Sequence, residues 1–364
     1  MKKKLRVALL FGGKSAEHEI SLISARNIFE AMDKNKYEVV AIGIDKQGRW
    51  FVDDDARLLR GAAPAKVEFG GTKHAAAVLP GDTGTPMVRP ATGAPFGALD
   101  VVFPVLHGPF GEDGTVQGLL KLANVAFVGA GVLGSAIGMD KDVMKRLLRD
   151  ARIPIGKFLV FQRADRNVIS YAKVKRHLGL PLFVKPANMG SSVGISKVSK
   201  KNEFRPATKD AFRYDNKIII EQFIAGREIE CSVLGNDRPM ASLPGEIIVQ
   251  HDFYSYDAKY IDDQGARLEI PAKLPRAVVK RVRELAVRSY QVLCCEGMAR
   301  VDFFVQANGR VLVNEINTIP GFTKISMYPK MWEASGISYP RLIDRLINLA
   351  LERARRERRL RTSK

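Results

Sequence analysis

The chain has 364 residues, 46% hydrophobic and 27% charged, and a formal net charge of +19. That size allows two or three domains with real cores, and no segment approaches the roughly 20 apolar residues of a membrane span. Nearly half of the charge excess sits in Lys2, Lys3, Lys4, Arg6 and the tail 351–364, with no aromatic-interleaved basic run and no Cys/His finger, so it reads as solvated helix face rather than a nucleic-acid surface.

In chain order, 5–11 reads as a buried strand, 21–32 as a helix and 37–45 as a strand; 98–104 is a further strand and 114–123 a further helix. This alternation predicts a parallel sheet with helices on its faces. The stretch 58–97, rich in Gly, Ala, Pro and Thr, reads as an insertion with partial disorder. A helix over 140–150 places Val143, Met144, Leu147 and Leu148 on one face. A strand at 157–161, a helix near 170–177, and strands at 182–185, 218–223 and 229–234 follow; helices at 274–293 and 341–355 complete the series. The start is basic, but a polar and acidic helix follows within twenty residues, so no signal peptide is read there. Cys231, Cys294 and Cys295 lack ligand spacing and read as reduced core thiols in a cytoplasm.

Two nucleotide motifs fail on inspection. Gly13-Lys14-Ser15 ends like a P-loop, but Ala8 stands where that loop begins with glycine. Gly129, Gly131 and Gly134 match G-x-G-x-x-G, yet the acid that should hold a ribose would be Asp150, inside a helix.

The hairpin around Asn308-Gly309 is more informative. Asn-Gly between alternating apolar residues signals a two-residue turn. That register sets Asp302 opposite Glu315 and Arg300 opposite Asn317, all on one face, while Val301, Phe303, Val305, Leu312 and Ile316 face a core. Two carboxylates and an amide oxygen about 5 Å apart suit a hard cation such as Mg²⁺ shared with a phosphate. Upstream, Lys185 closes an apolar strand before Gly190-Ser191-Ser192, a loop whose small residues let backbone N–H groups approach phosphate, and Lys141 offers a second cation. Glu221 to Ile224, followed by Gly226 and Glu228, reads as a hinge whose backbone faces an adenine edge. The aromatic stretch 253–260, ending Lys259-Tyr260, suits a lid over a charged ligand. Glu17 and Glu19 follow the first strand, where open α/β sheets bind ligands; His107 to Gly114 follow a later strand in the same way.

The segments GGKSAEHEISL, HGPFGEDGT, GMDKDVMK, VKPANMGSSVG, IIIEQFIAGREIE, YSYDAKY, GMARVDFF and VNEINTIPGFTKISMYP, in that order, resemble the ATP-grasp superfamily and within it the D-alanine–D-alanine ligase family. The resemblance spans the chain except 58–97 and the basic tail. It implies an α/β protein: an N-terminal parallel-sheet domain (1–138), then central (139–228) and C-terminal (229–364) ATP-grasp subdomains. It further implies a cytoplasmic homodimer that joins two D-alanines through an acyl phosphate for peptidoglycan synthesis. By resemblance, Glu17 holds the first ammonium in a chain with Ser191 and Tyr260, and His107 lies beside the substrate. Arg300 and the Gly321 backbone meet the tetrahedral oxyanion; Ser326 and the Met327 backbone take the second carboxylate. Lys141, Lys185 and Lys259 hold ATP phosphates, and Glu221, Phe223, Ile224 and Glu228 the nucleoside. Asp302, Glu315 and Asn317 carry two Mg²⁺ ions, or Mn²⁺ in their place. The resemblance leaves D-alanine–D-lactate and D-alanine–D-serine ligases as alternatives, with another ATP-grasp ligase or a basic nucleic-acid-binding protein further off. Met189 stands where some relatives carry a polar residue.

Overall fold

The computed structural model describes residues 3–53, 56, 59, 75–78, 80–81, 87–88, 94–249 and 266–361. Lys259, Tyr260 and the rest of the expected lid lie outside the described residues, as does most of 58–97.

Three sheets organise the chain. The first is five-stranded: Leu5–Gly12 lies between Tyr37–Ile44 and Val101–Val105, all parallel, with Ala126–Phe127 added in parallel and Trp50–Asp53 antiparallel at the other edge. Its strands are continuous runs of Val, Ile, Leu and Phe because both faces are covered. Leu9 and Phe11 point into a core shared with the helix His18–Ala31 and the helix Tyr339–Glu357, and Ala8 and Leu10 point into the opposite core. The second sheet is a four-stranded antiparallel layer containing Leu182–Pro186 and Lys217–Gln222. The third is six-stranded, with Arg227–Gly235 paired to Gly297–Val305 and that strand to Val311–Asn317, backed by the helix Arg276–Val292.

Within 58–97, Ala77–Val78 pairs with Met87–Val88, and Val78 and Met87 pack on the first sheet's core. Several expectations need correction. Val143 is exposed, since the buried face of Lys141–Asp150 takes Met144 and Leu148 together with the polar Lys141, Asp142 and Lys145. Cys294 is exposed rather than a core thiol. Three helices went unread. Lys201–Tyr214 carries Pro206 in its interior, Met327–Ala334 carries Pro329, and Val132–Met139 is hidden inside the glycine motif. Gly134 of that motif serves packing, because a Cβ there would lie 2.5 Å from the Cys294 carbonyl oxygen.

The hairpin turn also differs, with a compensating change. Gln306 N–H donates to the Arg310 carbonyl and Gly309 N–H to the Gln306 carbonyl, so the loop has three residues, closed by Gly309 at φ +81°. Val305 therefore faces Val311, and Phe303 faces Val313. A register shift between Asp302 and Phe303 then leaves Asn314 as the extra residue, and Asp302 pairs with Glu315 and Arg300 with Asn317 as expected. Leu312 consequently pairs with Phe304 and leaves the core face, where Val311 and Val313 stand instead. Unbroken alternation at the expected register would have set Asn314 opposite Phe303 in the core. The three-residue loop instead sets Val313 there, the bulge then leaves Asn314 unpaired beside Asp302, and its carbonyl accepts from Lys145 Nζ at 3.1 Å.

Candidate active site

The loops after the first sheet's strands, the turn after Leu182–Pro186 and the cleft face of the third sheet enclose two cavities of about 550 and 400 Å³. They share Gly190, Ser191, Glu228, Ile247, Phe304, Asn314 and Glu315 in their walls, so the two cavities adjoin. Glu17, His107, Ser191, Arg300, Asp302, Asn317, Gly321, Ser326 and Met327 line the larger cavity. Lys141, Lys185, Glu221, Phe223 and Ile224 line the smaller. Of the residues singled out from sequence, only Lys259 and Tyr260 are not placed, because they lie outside the described residues.

In the smaller cavity, Glu221 is buried with its carboxylate oxygens 2.6 Å from Lys185 Nζ and 2.9 Å from Lys145 Nζ. Burial alone would raise its pKa, but the two ammonium groups outweigh burial and hold it at about 2. Burial works against the charge of Lys185 as well, and Glu221 with Glu315 keeps its pKa above the ordinary value. Lys141 Nζ donates to the Met189 carbonyl at 2.6 Å and stands 3.7 Å from Glu315. That contact uses the backbone of Met189, so its apolar side chain does not alter it. Ser191 and Ser192 both adopt positive φ, +49° and +62°, within the Gly/Ser loop.

In the larger cavity, Ser191 Oγ donates to Glu17 Oε1, which ties the Gly/Ser loop to the loop after the first strand. His107 Nδ1 lies 3.0 Å from the Ile319 carbonyl, so Nδ1 carries the proton and Nε2 is the acceptor. Nε2 is buried with no hydrogen-bond partner among the described residues, and burial holds the imidazole below its ordinary pKa. Arg300 donates through Nε and Nη2 to both oxygens of Asp302 at 2.7 Å and stands 2.9 Å from Glu230. Burial opposes its charge, but Asp302 and Glu230 outweigh burial and raise its pKa further. Asn317 Nδ2 donates to Asp302 at 3.0 Å. Ser326 precedes the helix Met327–Ala334, and its hydroxyl accepts from the Thr323 amide at 2.9 Å.

Sequence reasoning missed Lys145, Glu112 and Glu230. Lys145 is four residues beyond Lys141 on one helix, and Glu230 follows Glu228 at strand spacing, directly across from Asp302, so both signals were present. Glu112, in the first sheet's later loop, is partly exposed on the wall of the larger cavity; desolvation first, and Glu17 second, push its carboxyl up to about 8.

The chain matches two family models end to end, "D-ala D-ala ligase N-terminus" over residues 6–130 and "D-ala D-ala ligase C-terminus" over 147–348. It is 53% identical to the D-alanine–D-alanine ligase of Shouchella clausii strain KSM-K16 over 361 residues, covering 99% of this chain and 98% of that one. To D-alanine–D-alanine ligase A of Escherichia coli K12 it is 52% identical, covering 99% and 100%. Among solved structures, the D-alanine–D-alanine ligase from Coxiella burnetii superposes with a TM-score of 0.86 at 41% identity, covering 98% and 97%. The VanG D-Ala:D-Ser ligase from Enterococcus faecalis gives 0.85 at 35% identity, covering 96% and 100%. The architecture is thus ATP-grasp, and this chain belongs to the D-alanine–D-alanine ligase family.

Proposed function

We propose that the chain joins two D-alanines into D-alanyl-D-alanine, converting ATP to ADP and phosphate. The supporting observation is that two adjoining cavities differ in lining, the smaller holding Lys141, Lys145 and Lys185 and the larger Glu17, His107, Arg300 and Asp302. Lys141 and Lys185 stand ready for phosphates, and Phe223 and Ile224 for the base. On the other side Glu17, with the acceptor nitrogen of His107, binds the first ammonium. The donor carboxylate then attacks the γ-phosphorus and forms an acyl phosphate. The second substrate, as its free amine, forms the C–N bond to that carbonyl carbon, whose C=O electron pair moves onto oxygen; collapse expels phosphate, which takes the nitrogen's surplus proton with it. Arg300 and the Gly321 amide stabilise the oxyanion. Ser326 and the Met327 amide, at the positive end of a helix, hold the second carboxylate.

Asp302, Glu315 and Asn317 would hold Mg²⁺. Among the described residues no three carboxylates, histidines or cysteines form a metal-ligand group, but two carboxylates and an amide with their oxygens at one strand pair fit a hard cation that keeps waters. When bound, the ion neutralises charge on the transferring phosphoryl group. We place the work in the cytoplasm, where ATP is, and propose a homodimer, checked by light scattering. Among the described residues no helix is long and apolar enough to cross a membrane.

The test is phosphate release from ATP with Mg²⁺ and D-alanine, with D-lactate, D-serine and L-alanine in parallel, products identified by mass. Dipeptide from D-alanine alone supports the reading. Release only on adding D-lactate or D-serine would replace it with the corresponding mixed ligase.

A further inference from the structure

The segment Thr318 to Thr323 leaves the last strand of the third sheet and crosses to the first sheet's unit. Its two large side chains, Ile319 and Phe322, are buried in the core that also holds Phe103 and Val105, with the Phe103 and Phe322 rings edge to face at 5.9 Å. The backbone between them is gripped by side chains of that unit. Glu112 Oε1 accepts from Ile319 N–H at 3.3 Å, and His107 Nδ1 donates to the Ile319 carbonyl. Ser24 Oγ accepts from Phe322 N–H at 3.2 Å, and Asn27 Nδ2 donates to the Phe322 carbonyl at 3.2 Å, which Tyr339 OH also reaches at 2.7 Å. Pro320 has no N–H. Gly321 lies between these holds, half-exposed on the cavity wall, and its N–H has no acceptor among the described residues. A side chain could not follow the path, since a Cβ there would come 2.8 Å from Ser326 Oγ.

We propose that Ser24, Asn27 and Glu112 are positioning residues that aim the Gly321 amide at the developing oxyanion. Neither Ser24 nor Asn27 lines the cavity, so they act only through the peptide units on either side of the glycine. The first sheet's unit, which holds the first substrate's ammonium, thereby also sets the donor carried by the third sheet. Oxyanion donors are effective when fixed before the charge appears, and a displacement near 1 Å costs about a hundredfold in rate.

This inference rests on the ligase reading and is tested with the full-length enzyme. Ser24→Ala and Asn27→Ala are compared with wild type for dipeptide turnover and for scrambling of ¹⁸O between the β,γ-bridge and β-nonbridge positions of ATP, which reports reversible acyl-phosphate formation. The predicted result is a fall in kcat of roughly tenfold to a hundredfold with the KM for ATP unchanged, and a rise in the ratio of scrambling to dipeptide. A general structural defect lowers both rates together and leaves the ratio flat. Wild-type kcat in both variants, or a flat ratio, overturns the positioning role while the wild-type dipeptide keeps the ligase reading. No dipeptide from wild type overturns the ligase reading itself. If buried Ser24→Ala melts early, the half-buried Asn27→Ala decides.

Discussion

Glu221 and Glu112 show how burial acts on a carboxylate in opposite directions according to its neighbours. Glu221 has two ammonium groups within 3 Å and stays ionised; Glu112 has another carboxylate nearby and is pushed up to about 8. For Glu112 the folded pKa lies above the unfolded value of 4.5, so the folded state keeps a proton that the unfolded chain has lost between those limits. Its contribution is greatest below pH 4.5 and is lost as pH rises through about 8. The melting temperature of wild type relative to Glu112→Gln therefore falls between pH 5 and pH 8. A constant difference would remove Glu112 as a titrating group. At the proposed ion site, Asp302→Asn or Glu315→Gln lowers turnover about a hundredfold or more; Glu315→Gln, which leaves the Arg300–Asp302 pair intact, changes the thermal melt little. Wild-type turnover in either variant would refute the assignment. The acids and lysines of the cleft were legible as residue types in short motifs. Glu112 was not read as a perturbed acid, because the groups around it, Glu17 and the Ile319 amide, are far away in the chain.

The hairpin separates what a local pattern encodes from what tertiary packing adds. Asn308-Gly309 announced the turn, but the loop is one residue longer and a bulge at Asn314 adds one residue, and the two cancel at the proposed ion site. The longer loop sets Val313 rather than an amide opposite buried Phe303, and the bulge returns Glu315 to Asp302. Proline inside Lys201–Tyr214 and Met327–Ala334 concealed those helices from propensity arguments, whereas the long apolar strands were plain. The glycine motif at 129–134 had the spacing of a dinucleotide loop, and close helix packing explains it instead. Gly134→Ala forces a Cβ against the Cys294 carbonyl and costs about 1–3 kcal/mol, read as a lower midpoint in urea. An unchanged midpoint would mean that the helix can move away.

Across the whole molecule, the basic tail acquires a structural purpose. Arg353, 4% exposed, donates to the Gly129 carbonyl at 2.5 Å and the Phe127 carbonyl at 2.7 Å, and its guanidinium lies 4.3 Å over the Phe127 ring. Arg356 pairs with Glu296 and, at 2.5 Å, with Asp237, and Arg358 reaches the Asn124 carbonyl at 2.9 Å. The last helix thus joins the first sheet to the third, and part of the charge excess is spent on carbonyls and acids rather than facing a polyanion. Arg353→Met leaves two buried carbonyls unpaired and lowers stability by about 2–4 kcal/mol. Arg356→Ala, at a half-exposed site, costs about 1 kcal/mol or less. Equal effects would contradict this ranking.

The measurement that reaches the central claim most directly uses D-alanine labelled with ¹⁸O in its carboxylate. Donation through an acyl phosphate moves one donor carboxyl oxygen into the released phosphate. The account predicts singly labelled phosphate formed in step with D-alanyl-D-alanine. Dipeptide accompanied by unlabelled phosphate would contradict the acyl-phosphate route, and labelled D-alanine left unconverted would contradict the activity.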